Sequence, residues 1–402
     1  MPVSTDEKKI DELLSRSIAQ ILPTKDELKK ALMSGKQLRF YIGTDATGPQ
    51  LHLGHSTNYL LLEKFRQLGH EIIILFGDFT ALIGDPTDKE AARKQQTPEE
   101  VENHIRDWKS QVSKIVDFDN AENPAKILKN SEWLSKLNFA DVLNIASNFT
   151  VQQMLERDMF EKRIEAGKLV YLHEFLYPLM QGYDSVAMDV DVEVGGTDQT
   201  FNMLVGRTLQ KRIHTKEKFV ISTTLLENPA TGKKLMSKSE GDYIALNDSP
   251  SDMYGKTMAL SDVVLRQMFV DTTLLPISEI DSILQLHPKE AKMRLARELV
   301  GIYHTKEAAQ KAEKNFVSTF SEGGVPSDIQ EAVVQKGALL HEALEKLGES
   351  KSELRRLAEA GAIGEVLPAG RQVVVFKDIN TPVERNLTLR IGKHRFLKIT
   401  IV

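Results

Sequence analysis

The chain has 402 residues and a formal net charge of -5, long enough for two or three domains with cores of their own. It is too acidic for a general nucleic-acid coat protein, although a local basic surface remains open to it. It contains no cysteine, which excludes disulfides, thiolate catalysis and cysteine-ligated zinc. The opening residues, Met1 to Leu14, are polar and acidic, and no run of about 18 apolar residues follows. The sequence therefore predicts a protein that stays out of membranes and works in the cytoplasm.

Residues 6–33 place Ile10, Leu13, Leu14, Ile18 and Ile21 at helical spacing, which predicts a leading helix or helix pair. Next comes Tyr41 to His55, reading YIGTDATGPQLHLGH. A β-rich run, Leu38 to Ile42, passes through a Gly48-Pro49 turn into the helix-patterned segment Leu53 to Leu68. A strand, a loop and a helix amino terminus bring unpaired N–H groups and a partial positive charge to one point, which suits nucleotide phosphates. Gly54 leaves the backbone open to a ligand, and His52 and His55 lie close to one face of the first turn. The apolar run Ile72 to Phe76 predicts the next strand of a buried parallel sheet. The loop after it, with Gly84-Asp85-Pro86, sits where open α/β sheets place ligands, or is a plain turn.

Residues 98–168 are mostly helical in pattern, broken at Asn123-Pro124, with an apolar face suited to a dimer contact. In Phe175 to Asp184, Tyr177, Gln181 and Asp184 would share a helix face, with Pro178 in the first turn. They form either a structural network or a substrate site. Val190 to Val194 alternates like a strand and delivers Gly195-Gly196-Thr197-Asp198-Gln199. Lys218 to Ser222 predicts one more strand. The loop 228–234 then brings Lys233 and Lys234 to Leu235-Met236-Ser237-Lys238-Ser239. These lysines either form a solvated loop or neutralise a triphosphate. Residues 251–320 are again helical in pattern, and Gly323 to Ser327 marks a boundary. From Arg371 to Val402, seven basic residues face two acidic ones within β-rich runs, which points to RNA contact.

The segments His52-Leu53-Gly54-His55 and Leu235 to Ser239 resemble the HIGH and KMSKS signatures of class I aminoacyl-tRNA synthetases, and from about Phe40 onward the chain resembles the bacterial tyrosyl-tRNA synthetases. The resemblance implies an α/β fold: a Rossmann-like parallel-sheet catalytic domain with a helical insertion at 1–225, and the KMSKS-type loop with a helical domain at 226–322. A linker at 323–338 and a small α+β S4-like RNA-binding module at 339–402 complete it. It implies Tyr41 and Asp184 at the phenol hydroxyl of L-tyrosine, and Tyr177, Gln181 and Asp85 at its amino group. Gly196, Asp198 and Gln199 would lie beneath substrate and ribose. Asp45, Thr47, His52, Gly54, His55, Lys234 and Lys238 would meet ATP, with His52, His55 and Lys238 catalytic and Mg²⁺ carried on the phosphates. No metal held by the protein itself is implied. The implied partners are tRNA(Tyr) and a second copy of the chain. The sequence departs from the pattern at Leu235, where lysine is usual, and at Asn58. The competing readings are a tryptophanyl-tRNA synthetase, a small-molecule nucleotidyltransferase, and a synthetase-like RNA-binding protein without catalysis.

Overall fold

The computed structural model describes residues 1–46, 48, 50–85, 96–155, 158–228, 231–232, 234–236, 243–320, 329–345, 351–366, 372–392 and 395–402. They form two compact units, Met1–Asp248 with Leu260–Ala291, and Ser249–Ala259 with Lys292–Val402.

The first unit is built on a six-stranded sheet of β1 (Ile18–Leu22), β2 (Arg39–Asp45), β3 (Glu71–Gly77), β4 (Lys126–Lys129), β5 (Val192–Gly196) and β6 (Phe219–Thr223). The strand order is β1-β6-β5-β2-β3-β4. Strands β2 to β6 run parallel, and β1 joins β6 antiparallel. From β2 the chain winds through β3 to β4 on one side, and β5 and β6 fill the other, so the order reverses between β2 and β5. In an open α/β sheet that point leaves a crevice at the strands' carboxyl ends. The expected run Ile72 to Phe76 is β3, buried along its length. It is apolar throughout because helices cover both faces of a parallel sheet.

Three details differ from the sequence reading. Ile18 and Ile21 belong to strand β1, between the helices Glu7–Leu13 and Lys25–Met33. The spacing favours a helix, but pairing with β6 makes Ile18–Leu22 a strand. Within the region expected to be helical, Lys126–Lys129 forms β4 on the edge of β3. Pro178 is the seventh residue of the helix Leu172–Ala187, inside it rather than in its first turn. The helix begins earlier because Tyr171 N–H donates to Glu174 Oε2 at 3.2 Å, a capping contact.

In the second unit the helices Pro250–Met258 and Lys306–Phe320 pack together, with Tyr254 and Phe316 ring centroids 5.4 Å apart. Its sheet comprises β7 (Gln330–Val334), β8 (Ile363–Val366), β9 (Gln372–Val375), β10 (Leu387–Ile391) and β11 (Arg395–Ile401), in the order β7-β11-β10-β8-β9. Leu340, Leu344, Leu354, Ile363, Leu389 and Ile399 form its core. Strand β7 lies within the stretch read as linker and pairs in parallel with β11. Gly323 to Ser327 fall outside the described residues.

Candidate active site

Strand β2 runs through a loop into the helix Leu53–Gln67. His52 caps that helix: its Nδ1 accepts from Gly54 N–H at 3.2 Å, and His55 Nδ1 accepts from His52 N–H at 3.2 Å. A ring nitrogen that accepts carries no proton, so each neutral imidazole holds its hydrogen on Nε2 as a donor. The rings stand 3.9 Å apart, centroid to centroid. A Cβ at Gly54 would lie 3.1 Å from the His52 ring, so glycine lets the ring fold over the backbone. The segment after the second motif is tied to this terminus: Leu53 N–H donates to Ile244 O at 3.1 Å, and Leu246 N–H to Leu51 O at 2.9 Å. Lys234 Nζ stands 3.8 Å from Asp198 Oδ2. Thr47, Lys233 and Lys238 lie outside the described residues.

A cavity of about 370 Å³ opens at the switch point. Twelve of the expected residues line it: Asp45, His52, Gly54, His55, Asp85, Tyr177, Gln181, Asp184, Gly196, Asp198, Gln199 and Lys234. Asp184 is almost wholly buried. Its carboxylate accepts from Trp133 Nε1 at 2.7 Å and from Asn130 Nδ2 at 3.3 Å. Burial pushes this acid well above the carboxylate range, and those two donors pull it back by favouring the ionised form. The Tyr177 hydroxyl donates to Asp45 Oδ2 at 2.8 Å, and Thr80 donates to Asp45 Oδ1 at 2.6 Å. Gln199 Nε2 donates to Asp85 Oδ2 at 2.8 Å. The cavity lining thus combines several carboxylates and amide oxygens with a helix amino terminus that carries two imidazole donors. An ammonium group suits the first and phosphates suit the second.

Tyr41 departs from expectation. It is wholly buried, is not among the residues lining the cavity, and pairs its hydroxyl with Ser185 Oγ at 2.8 Å rather than with Asp184. The cause is sheet register: Tyr41 on β2 sits opposite Glu193 on β5, so its side chain joins the buried group around Glu193. Burial, ahead of the charges on Glu193 and Asp184, keeps its phenol protonated.

Sequence reasoning missed Asn130 and Trp133, which hold Asp184, and Thr80, which holds Asp45. It also missed Asn202, Glu193, Ser185 and Lys218. Asn130 and Trp133 directly follow the missed strand β4, which carries them beneath Asp184. No local signal marks them. Glu193 and Lys218 were legible only as charges within or beside apolar strands.

The strand order and a helix amino terminus aimed into the switch-point cavity define a nucleotide-handling enzyme of the Rossmann-like α/β class. Residues 33–321 match the family described as tRNA synthetases class I (W and Y). Among the curated relatives, the tyrosine–tRNA ligase of Carboxydothermus hydrogenoformans is 42% identical, covering 99% of each chain. That of Haemophilus influenzae is 40% identical over 96% of each. A C-terminally truncated mitochondrial tyrosyl-tRNA synthetase from Coccidioides posadasii superposes with a TM-score of 0.62 at 25% identity, covering 76% of this chain and 91% of that one. The Archaeoglobus fulgidus tyrosyl-tRNA synthetase, solved with L-tyrosine, gives 0.61 at 22% identity over 77% of this chain and 100% of its own, a likeness of fold. The chain belongs to the class I tRNA synthetases and, within them, to the bacterial tyrosyl-tRNA synthetases.

Proposed function

We propose that this cavity activates L-tyrosine with ATP and passes the product to tRNA(Tyr), the reaction of a tyrosine–tRNA ligase. The observation that carries the reading is a single cavity lined both by Asp184 and by the His52-capped helix terminus. Asp184 receives the phenol hydroxyl, while Tyr177, Gln181 and Asp85 hold the ammonium group. Tyr41 acts on this part of the site from one layer behind. Gly196, Asp198 and Gln199 lie beneath the adenylate, and Asp45, Thr47, Gly54, His52, His55, Lys234 and Lys238 serve ATP.

The tyrosine carboxylate is already ionised at neutral pH, so activation needs no general base. One of its oxygens attacks the α-phosphorus of ATP and pyrophosphate leaves, while His52, His55 and Lys238 stabilise the growing charge. Mg²⁺ belongs to this reading as the partner of the ATP phosphates. Among the described residues no group of three His, Asp or Glu side chains is placed to hold a metal; in this reading Mg²⁺ would come bound to the ATP phosphates. In the second step a terminal ribose hydroxyl of the tRNA attacks the adenylate carbonyl and AMP leaves. The proposed division is 1–225, 226–322, 323–338 and 339–402, with the last as an S4-like module holding the tRNA body and strand β7 of the linker stretch joining its sheet.

A homodimer fits the exposed Phe139, Leu143, Val151, Leu169 and Leu172 of the first unit. No described helix is long and apolar enough to cross a membrane, and the proposed location is the cytoplasm. Tyrosine-dependent exchange of pyrophosphate into ATP tests the central reading. Exchange with tryptophan and none with tyrosine would overturn it.

A further inference from the structure

Behind the cavity lies a buried ion pair that the proposed chemistry does not use. Lys218 and Glu193 are almost completely inaccessible, and Lys218 Nζ donates to Glu193 Oε2 and, at 2.8 Å, to Ser185 Oγ. The sequence makes room for this ammonium: a Cβ at Gly206 would lie 2.5 Å from Lys218 Nζ and 2.7 Å from Ser185 Oγ. Taking two charges out of water is expensive, and apolar residues of like volume often serve stability as well or better. A pair so placed calls for another role.

That role follows from hydrogen-bond polarity. Glu193 Oε1 accepts from Gln181 Nε2 at 3.1 Å. An ionised carboxylate only accepts, so the NH₂ end of Gln181 must face it, and the amide oxygen must face the other way. That oxygen accepts from Asn202 Nδ2 at 2.9 Å, and the same NH₂ group donates to Gln199 Oε1 at 3.1 Å. Gln199 Nε2 in turn donates to Asp85 Oδ2. Two carboxylates, Glu193 and Asp85, therefore close a chain in which none of the three amides is free to flip. The arrangement leaves Asn202 Oδ1 buried without a hydrogen-bond partner, so Asn202 is retained here for its two donors.

We propose that Lys218 and Glu193, acting with Asn202, are positioning residues. They lock the Gln181 amide with its oxygen toward the α-ammonium group of the amino-acid substrate and its NH₂ group away from it. Lys218 donates to Glu193 Oε2, and Glu193 Oε1 in turn fixes the Gln181 NH₂ group. The reversed amide would present two donors to a cation. This inference rests on the reading that Gln181 helps hold the ammonium group.

The experiment compares the full-length protein with Glu193→Met/Lys218→Met, which replaces the pair by apolar side chains of similar volume, and with Asn202→Leu, which leaves the pair intact. Each is measured by pyrophosphate exchange for the KM of tyrosine and of ATP. Calorimetry gives the affinity for tyrosine and for 3-(4-hydroxyphenyl)propionate, which lacks the amino group. The expected result is a rise of about tenfold in tyrosine KM, the worth of one hydrogen bond to a charged group. ATP KM and affinity for the deaminated compound should change less than about twofold on the same scale. Should the double variant fail to fold, Asn202→Leu decides alone. Unchanged tyrosine KM, or equal losses for tyrosine and the deaminated compound, would overturn the proposal. Gln181→Ala is the control for the underlying reading. If it leaves tyrosine KM unchanged, the ammonium site is misassigned and this inference falls with it; if it raises tyrosine KM while the other variants do not, only the inference fails.

Discussion

Trp133 Nε1 donates a 2.7 Å hydrogen bond to Asp184 Oδ1, so an indole from the segment after β4 holds the carboxylate of the helix Leu172–Ala187. In the proposed function this buried acid, held by two N–H donors, accepts the phenol hydroxyl and is left short of a partner when phenylalanine enters. A site built to bond a hydroxyl rejects the analogue that lacks it, a rule for which tyrosyl-tRNA synthetases are the standard example.

Trp133→Phe removes that donor while keeping an aromatic ring. The expected outcome is a loss of about 1–2 kcal/mol in discrimination for tyrosine over phenylalanine, read as the ratio of kcat/KM values in pyrophosphate exchange. Discrimination equal to that of the unaltered protein would remove Trp133 from substrate selection.

His55 both caps the helix and presents an Nε2 donor. His55→Ala should slow adenylate formation by about 10- to 100-fold, with tyrosine affinity in the absence of ATP unchanged. His55→Asn restores an acceptor for His52 N–H, so it should recover about 1 kcal/mol of cap stability without recovering the rate. Single-turnover kinetics alongside denaturant unfolding separates the two roles.

Gly206→Ala would press a methyl group against Lys218 and Ser185. Overpacking at a buried polar pair should cost about 1–3 kcal/mol, measurable by urea unfolding. A variant as stable as the original would show that the helix Thr200–His214 shifts freely at this point.

His70 is wholly inaccessible and its Nδ1 accepts from Leu38 N–H at 3.2 Å. Burial, opposed by the Asp191 charge, lowers its pKa from 6.5 to about 4. Between those values the unfolded chain binds the proton and the folded chain does not. Stability therefore rises with pH through this window and is lost as pH falls from about 6.5 toward 4, by about 3 kcal/mol in all. Urea midpoints across the window should carry this slope, and His70→Gln should flatten it. An unchanged slope in that variant would assign the dependence to other groups.

The strand, loop and helix order of Tyr41 to His55, the apolar run of β3 and the shared face of Tyr177, Gln181 and Asp184 could all be read from the sequence. Each is a local matter of periodicity, turn chemistry or spacing along one helix. Gly195-Gly196, expected as a turn, are instead the last two residues of strand β5. The edge strands β1 and β4 could not be read, because short strands are defined by the neighbour they pair with. The helix Leu172–Ala187 begins ahead of Pro178 because of a capping contact seven residues earlier, where sequence reasoning had used the proline to mark its start.

What the sequence determined by itself was the chemistry available: acids and amides on one helix, two histidines at another's amino terminus, and lysines on a loop. Tertiary structure decided which of those groups meet. Register between β2 and β5 turned Tyr41 away from the cavity toward Glu193 and Ser185, and β4 brought Trp133 and Asn130 to Asp184. Lys218 and Asn202 joined the amide chain behind Gln181. Such contacts join residues up to about 150 positions apart, and no pattern along the chain encodes them. They exist only once the strands have found their order.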